Sequence, residues 1–339
     1  MHLDTSLFLF GIRSLDIKVS GDLAAVGEQR NSVGEVIFID ISEPSNPQIL
    51  SNFEASDRGG VHNLFLYKDR AYLVSSVDQG MTIIDISDPT QPWESGFWMN
   101  QAEGFSSFIH DVFIRDDMAF LSVSNDFGNI GGLVILDLAD PDNPVTLSSV
   151  PIAEGLHSAW MENGFVYCNQ EYGGWNRPLH IIDATDPRHP VEVGTFRAQP
   201  PPFSETAGAH NPYARDGLLY WAYYDAGVRI FDLATPDHPV EIAYFSSPGA
   251  WGAQPHTDGL VYVADNARHV RGVGAPALLA FRFDEPSHGI RQVSLSTESS
   301  VAGNSDWLTV TATTEMGPVD GYLAGGFRCL MTCTVASIE

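Results

Sequence analysis

The chain has 339 residues, of which 44% are hydrophobic and 18% charged, so it can bury a large core and is not expected to be disordered. With 17 Lys and Arg against 43 Asp and Glu, its formal net charge of -26 disfavours nucleic acid and anionic membrane surfaces as partners. The sequence shows no signal-peptide pattern, no apolar stretch of bilayer length, and three cysteines without a disulfide framework. These features predict a cytoplasmic protein.

The predicted elements, taken in chain order, form a repeat. A first strand in "TSLFLFGI" is followed by five stretches that each contain a β-rich run, an Asp, a turn with Pro and a second β-rich run. They are "VIFIDISEPSNPQIL", "MTIIDISDPTQPWES", "LVILDLADPDNPVTL", "LHIIDATDPRHPVEV" and "VRIFDLATPDHPVEI". The Asp residues before the turns are Asp40, Asp85, Asp137, Asp183 and Asp232, about 45 to 52 residues apart. This spacing is typical of a four-stranded propeller blade, in which we expect each Asp to cap its turn.

Each unit also begins with a hairpin of alternating apolar and polar residues, which brings the count to four short strands. The pattern resembles the bacterial LVIVD-repeat proteins, named after a strand of the kind seen here as "LVILD", over roughly Leu15 to Leu295. The resemblance implies a β-propeller and implies little about activity. We predict an all-β, single-domain propeller over residues 1–339 with seven four-stranded blades, closed by the N-terminal strand. The alternative is six blades followed by a β-rich tail, because the sixth copy, "LLAFRFDEPSHGIRQVSL", is degenerate.

Histidines recur where the first strand of a unit begins, namely at His62, His110, His157 and His210. The first strand of a propeller blade lines the central channel, so we expect these imidazoles to converge and bind a metal ion. The connections between second and third strands supply carboxylates that would orient the imidazoles: Asp78, Asp126, Glu171 and Asp225. An all-nitrogen site with open positions favours iron(II), while copper, zinc, nickel and manganese are the other candidates.

Long loops on the same face would carry the residues that contact a small, partly apolar or aromatic substrate. The candidates are Trp175, Trp251, Tyr224, Arg30 and Arg268. His256 and Tyr223 are candidates for catalytic acid–base roles. The resulting hypothesis is a metal-dependent enzyme, of an oxygenase type if the metal is iron.

Two alternatives stay open. Each histidine can instead hydrogen-bond an Asp within its own blade or the next, as the Gly-His dipeptide does in WD-repeat propellers, which would leave a non-catalytic propeller that binds a protein or a glycan. A metal-free lyase or isomerase would use one histidine as base and a tyrosine as acid. The sequence does not define the substrate or the oligomeric state.

Overall fold

The computed structural model describes residues 14–282, apart from 31–32, 56–59, 76–79, 102–104, 106–107, 125–129, 154, 172–176, 199–207, 248, 258 and 267–276, together with 309–313, 328–332 and 336–337. All regular secondary structure in these residues is β-strand. In the same residues, we find no helix with the length and hydropathy of a membrane span.

Three four-stranded antiparallel sheets come first, and each pairs strands in chain order. The first sheet contains β1 (Ser14–Ser20), β2 (Leu23–Arg30), β3 (Val33–Asp40) and β4 (Gln48–Glu54). The second contains β5 (Asn63–Tyr67), β6 (Arg70–Val74), β7 (Gly80–Asp85) and β8 (Trp93–Met99). The third contains β9 (Ile109–Arg115), β10 (Met118–Val123), β11 (Gly131–Asp137) and β12 (Val145–Ile152).

Three further four-stranded sheets follow. The fourth contains β13 (Ser158–Glu162), β14 (Phe165–Asn169), β15 (Leu179–Asp183) and β16 (Val191–Phe196). The fifth contains β17 (Pro212–Arg215), β18 (Leu218–Ala222), β19 (Val228–Asp232) and β20 (Val240–Phe245). The sixth contains β21 (Ala250–Pro255), β22 (Leu260–Asp265), β23 (Ala277–Arg282) and, at its edge, β26 (Ala336–Ser337). Between β23 and β26 in sequence, β24 (Thr309–Thr313) and β25 (Arg328–Thr332) form a two-stranded sheet.

The predicted all-β propeller fold is confirmed, and the described residues form six four-stranded sheets, as in the six-blade alternative. In the described residues the six-blade alternative matches and the preferred count of seven does not, because the tail supplies the outer strand of the sixth sheet, where Ala336 and Ser337 pair with Leu278 and Ala277. Residues 1–13, which include the predicted closing strand, lie outside the described residues.

The chain divides into two compact units, which are described separately below. The first unit contains the described residues up to Cys168 and the segment Ile182–Glu192. The second unit contains Asn169–Ile181 and the described residues from Val193 onward. The single-domain organisation stays a prediction.

The Asp of each repeat caps its turn, as expected. Its Oδ1 accepts a hydrogen bond of 2.7–3.0 Å from the backbone N–H two residues later. The five pairs are Asp40–Ser42, Asp85–Ser87, Asp137–Ala139, Asp183–Thr185 and Asp232–Ala234. The side chain thus replaces a backbone acceptor and helps to set the direction of the last strand in each of the first five sheets.

In the first unit, the same turns also connect neighbouring sheets. Ser51 of β4 donates its hydroxyl to the carbonyl of Pro89 in the next turn along the chain (2.6 Å), and Ser148 of β12 does the same to Pro187 (2.7 Å). Ser95 of β8 donates to the Asp142 carboxylate (2.6 Å). Each of these contacts joins the outer strand of one sheet to the turn of the following sheet.

The core lies between successive sheets. In the first unit, β-branched and aromatic side chains such as Ile83, Val112 and Phe120 are almost completely buried. In the second unit, Phe245 and Phe281 stack with centroids 4.5 Å apart between the fifth and sixth sheets. Burial of these apolar faces fixes the register of the strands, and therefore which residues lie where each first strand begins.

Candidate functional site

Three of the predicted histidines come together in the first unit. His62 immediately precedes β5, His110 is the second residue of β9, and His157 immediately precedes β13. The Nε2 atoms of His62 and His110 are 3.0 Å apart, and their ring centroids are 4.4 Å apart. The rings of His110 and His157 are 4.0 Å apart, with ligand nitrogens no further than 4.8 Å from each other. The imidazoles of three successive sheets are therefore in direct contact.

Backbone hydrogen bonds hold these histidines in place. The His62 N–H donates to the carbonyl of Val74 (2.9 Å), which extends the pairing of β5 and β6 by one residue. The Asn63 side chain is buried and donates to the His110 carbonyl (3.3 Å). The rings are thus carried by a rigid sheet and by a direct link between two neighbouring first strands.

Apolar and charged groups flank the cluster. The Phe108 ring stands 5.9 Å from that of His62 and 5.4 Å from that of His110, centroid to centroid. Burial lowers the pKa of His62, and the nearby carboxylate of Asp16 opposes this shift. Since the neutral imidazole is the form that can bind a metal ion through a ring nitrogen, this burial favours the ligating form.

Two carboxylates that the sequence analysis did not select belong to the same unit: Asp16, whose charge acts on His62, and Asp111, whose pKa is affected by Asp16. Asp16 pairs with Lys18 and accepts a hydrogen bond from the Leu64 N–H (3.1 Å). Burial raises the pKa of Asp111 to about 7, Lys18 lowers it, and Asp16 raises it. Both acids had a signal in the sequence: Asp111 follows a candidate histidine directly, and Asp16 follows Leu15, where the first repeat has no histidine.

The separation of 3.0 Å between two Nε2 atoms has two chemical explanations. One is an N–H···N hydrogen bond between two neutral imidazoles of opposite tautomers. The other is a pair of ligands to one metal ion: nitrogens at 2.0–2.1 Å from a metal and at adjacent coordination positions lie about 2.8–3.4 Å apart. The spacing of His62 and His110 fits both.

His210 belongs to the second unit and has different partners. Its Nδ1 is 2.5 Å from the Trp251 carbonyl, and its ring lies 5.0 Å from Tyr224 and 5.3 Å from Trp251. Because a carbonyl can only accept, Nδ1 carries a proton, and in the neutral imidazole the lone pair is therefore on Nε2. The ring of His210 is thereby fixed in both orientation and tautomer.

Glu171 contacts Tyr224, also in the second unit. The Tyr224 hydroxyl donates to the Glu171 carboxylate in a short hydrogen bond. Tyr224 has a positive φ of 39°, a conformation that non-glycine residues rarely adopt, and its backbone also bonds Ala250. Gly208 lets the Glu171 backbone approach, because a Cβ there would lie 2.5 Å from the Glu171 carbonyl oxygen. The second unit thus assembles Glu171, Tyr224, His210 and Trp251.

The other residues predicted for the site lie outside the three-histidine cluster or outside the described residues. Asp225 is partly buried in the turn after Tyr224. His256 is exposed in the turn that follows β21, five residues beyond Trp251, so the structure does not bring it to His210. Tyr223 is buried, and its pKa is raised mainly by burial and then by Glu241. Asp78, Asp126, Trp175 and Arg268, and the side chain of Arg30, lie outside the described residues.

Comparison with known proteins supports the fold. The LVIVD repeat model matches residues 13–55 and 59–99, and no match was found among curated proteins. The periplasmic gluconolactonase of Pseudomonas aeruginosa is 12% identical, with a TM-score of 0.61 over 78% of each chain. A candidate 6-phosphogluconolactonase of Bacteroides fragilis is 14% identical, with a TM-score of 0.63 over 79% of each chain.

A hypothetical selenium-binding protein of Sulfolobus tokodaii is 13% identical, with a TM-score of 0.57 over 78% of this chain and 72% of its own. At such identities, these similarities establish the fold alone. The chain is therefore similar in fold to propellers of several kinds, and it carries two recognised LVIVD repeats.

Proposed function

We propose that the first unit binds one transition-metal ion through His62, His110 and His157, and that the ion serves an enzymatic reaction on a small molecule. The observation that carries this proposal is the direct contact of three imidazoles from successive sheets, with two Nε2 atoms 3.0 Å apart. Three nitrogen ligands leave open positions for a substrate, which is the arrangement of catalytic rather than structural metal sites.

Iron(II) is the metal we favour, because imidazole ligands with open coordination positions suit it, and an iron centre would supply oxygenase-type chemistry. Copper, zinc, nickel and manganese are compared with it in the experiment below. The protein's own contribution is to hold the three rings on adjacent strands and to border them with the Phe108 ring. That apolar border supports a partly apolar or aromatic substrate.

The fold itself is compatible with enzymatic activity, since a similar propeller is a gluconolactonase. That likeness carries no residue roles to this chain. It does make lactone hydrolysis a reaction to include when the metal-loaded protein is screened with small molecules.

The test is the metal content of protein purified without chelators or an affinity tag and then reconstituted anaerobically with each metal. We expect about one ion per chain in the wild type, a loss in His110→Gln, and retention in His256→Gln, whose histidine is exposed. Equal binding by both variants would overturn the proposal. Absence of metal in the wild type would also do so and would favour a non-catalytic propeller that binds a protein or a glycan.

A second candidate function is metal-free acid–base catalysis in the second unit, which the fixed tautomer of His210 favours. There the Nε2 lone pair would accept a substrate proton, and the Tyr224 hydroxyl oxygen, which donates its own proton to Glu171, would accept a hydrogen bond from a substrate N–H or O–H group. Imidazole ¹⁵N NMR of the wild type and of His210→Gln identifies the tautomer directly. A protonated Nε2 in neutral His210 would contradict this role.

A further inference from the structure

Arg229, in β19, is a buried cation with open hydrogen-bonding capacity. Its side chain is 3% exposed, and Nη1 pairs with the Glu241 carboxylate at 2.7 Å. In the described part of the chain, Nε and Nη2 have no hydrogen-bond partner. Buried guanidinium donors are rarely left unpaired in folded proteins, because each loses its hydration without compensation. An acceptor is therefore expected at these two nitrogens.

The two open donors share one edge of the guanidinium group. Nη1 lies on the side of Cδ and is used by Glu241, whereas Nε–H and Nη2–H point in parallel from the opposite edge. This edge matches the spacing of the two oxygens of a carboxylate, which it can bind through two parallel hydrogen bonds. The chemistry of the open edge thus defines a planar, two-oxygen acceptor.

Aromatic side chains border this guanidinium. In the fifth sheet, Arg229 pairs across with Trp221 on β18 and with Tyr244 on β20, and the Tyr244 ring centroid is 5.0 Å from its Cζ. Tyr223 is the first residue after β18. The Tyr223 hydroxyl is buried beside the Ala198 backbone, and its O–H has no acceptor among the described residues. The charges of Arg229 and Glu241 both act on Tyr223, which indicates that it lies near the pair.

We infer that the second unit binds a small monocarboxylate at the Nε–Nη2 edge of Arg229, with the Tyr223 hydroxyl as a further donor. Glu241 already balances the charge of Arg229, so each negative charge of a ligand is repelled by Glu241, and a ligand with one carboxylate is favoured over a ligand with two. The Arg229 side chain is 3% exposed and is paired with Trp221 and Tyr244 on the two neighbouring strands, so we expect only a small ligand to reach it. This inference does not rest on the metal-binding proposal made above.

The experiment is a titration of the full chain with sodium acetate, followed by thermal unfolding and by NMR of ¹³C-labelled acetate. Sodium chloride at the same ionic strength is the control for charge. Acetamide, with sodium chloride added to the same ionic strength, is the control for shape. We expect a saturable rise in the unfolding temperature and line broadening with acetate alone. In Arg229→Lys, which keeps the charge and removes the paired donors, acetate affinity should fall at least about tenfold.

Arg115→Lys is the matched control, because Arg115 donates to Glu162 and to the Met161 carbonyl. This substitution should leave acetate binding unchanged. If Arg229→Lys does not fold, Tyr223→Phe removes only the hydroxyl and should weaken acetate binding about threefold to tenfold. Equal effects of acetate, acetamide and chloride on the wild type would overturn the inference and leave water as the partner of the open edge. Acetate affinity that neither Arg229→Lys nor Tyr223→Phe changes would also overturn it.

Discussion

The two units place a histidine where a first strand begins, yet they surround it differently. In the first unit, His62, His110 and His157 contact one another. In the second unit, His210 bonds the backbone of Trp251 and lies against the Tyr224 ring. The repeat therefore determines where the histidine is placed, and the residues outside the repeat pattern determine its partners and its chemistry.

The buried arginines differ in the same way. In the first unit, Arg70 uses Nε and Nη2 on Asp142 (2.8 and 3.0 Å), and its Nη1 lies 2.9 Å from Asp85. In the second unit, Arg229 has one carboxylate partner and an open edge. The guanidinium donors of Arg70 are thus paired within the fold, whereas the open edge of Arg229 is the basis of the carboxylate site that we infer.

The largest effect we expect separates the two kinds of histidine. His110→Ala should weaken metal binding by at least about 100-fold, because it removes the central imidazole of the three, and His210→Ala should change it less than about threefold. Competition with a chromogenic chelator measures both affinities. Equal losses would break the comparison and return His210 to the ligand set.

Removal of the paired arginine should cause the next largest effect. Arg70→Met leaves Asp142 and Asp85 without their cation and should lower the free energy of unfolding by about 2 kcal/mol. Arg215→Met removes an exposed pair with Asp216 in the second unit and should change it by less than about 0.5 kcal/mol. Urea denaturation measures the free energy of unfolding of both variants. An effect of Arg215→Met as large as that of Arg70→Met would show that the buried pairs of Arg70 stabilise the fold no more than an exposed pair does.

Two glycines at the same position of their strands sharpen the comparison further. A Cβ on Gly96, the fourth residue of β8, would lie 2.2 Å from the Asp142 carbonyl oxygen, whereas one on Gly194, the fourth residue of β16, would lie 3.6 Å from that of Asp237. We expect Gly96→Ala to lower the free energy of unfolding by about 1–2 kcal/mol and Gly194→Ala to be neutral within about 0.5 kcal/mol. Urea denaturation tests both, and similar values would contradict the tighter contact in the first unit.

The smallest expected effect is a pH dependence of the first unit. Hydrogen bonds from Arg70 and Ser95 lower the pKa of Asp142. The stability that this carboxylate supplies is therefore complete above about pH 4 and is lost as the pH falls through the folded-state pKa. The difference in unfolding free energy between the wild type and Asp142→Asn should shrink from pH 6 to pH 3. A constant difference would show that the charge of Asp142 does not contribute.

The sequence predicts the sheets better than it predicts the site. The spacing of the turn Asp residues and the alternation of apolar residues indicate four-stranded repeats, and the caps at Asp40 and Asp85 follow from the same local chemistry. The blade count could not be derived, because the pairing of Ala336 with Leu278 joins segments nearly sixty residues apart and leaves no local periodicity.

The partners of the histidines were equally beyond local patterns. The positions of His62 and His110 follow from the repeat, but the contact between their Nε2 atoms depends on how two sheets pack. The carboxylate of Asp16 lies one residue beyond Leu15, the position at which the first repeat lacks a histidine, so a search for repeated residues does not select it. Sites assembled from neighbouring repeats require the packing of the sheets and not only the repeat pattern.

The contacts between turns and preceding sheets also constrain how the first unit folds. Ser51 reaches Pro89 across 38 residues and Ser148 reaches Pro187 across 39, which is almost one repeat further along the chain. During synthesis, a sheet can complete its outer contacts only after most of the next repeat has left the ribosome. We therefore expect the sheets of this unit to become protected from proteolysis in N-terminal to C-terminal order, each with a delay of about one repeat.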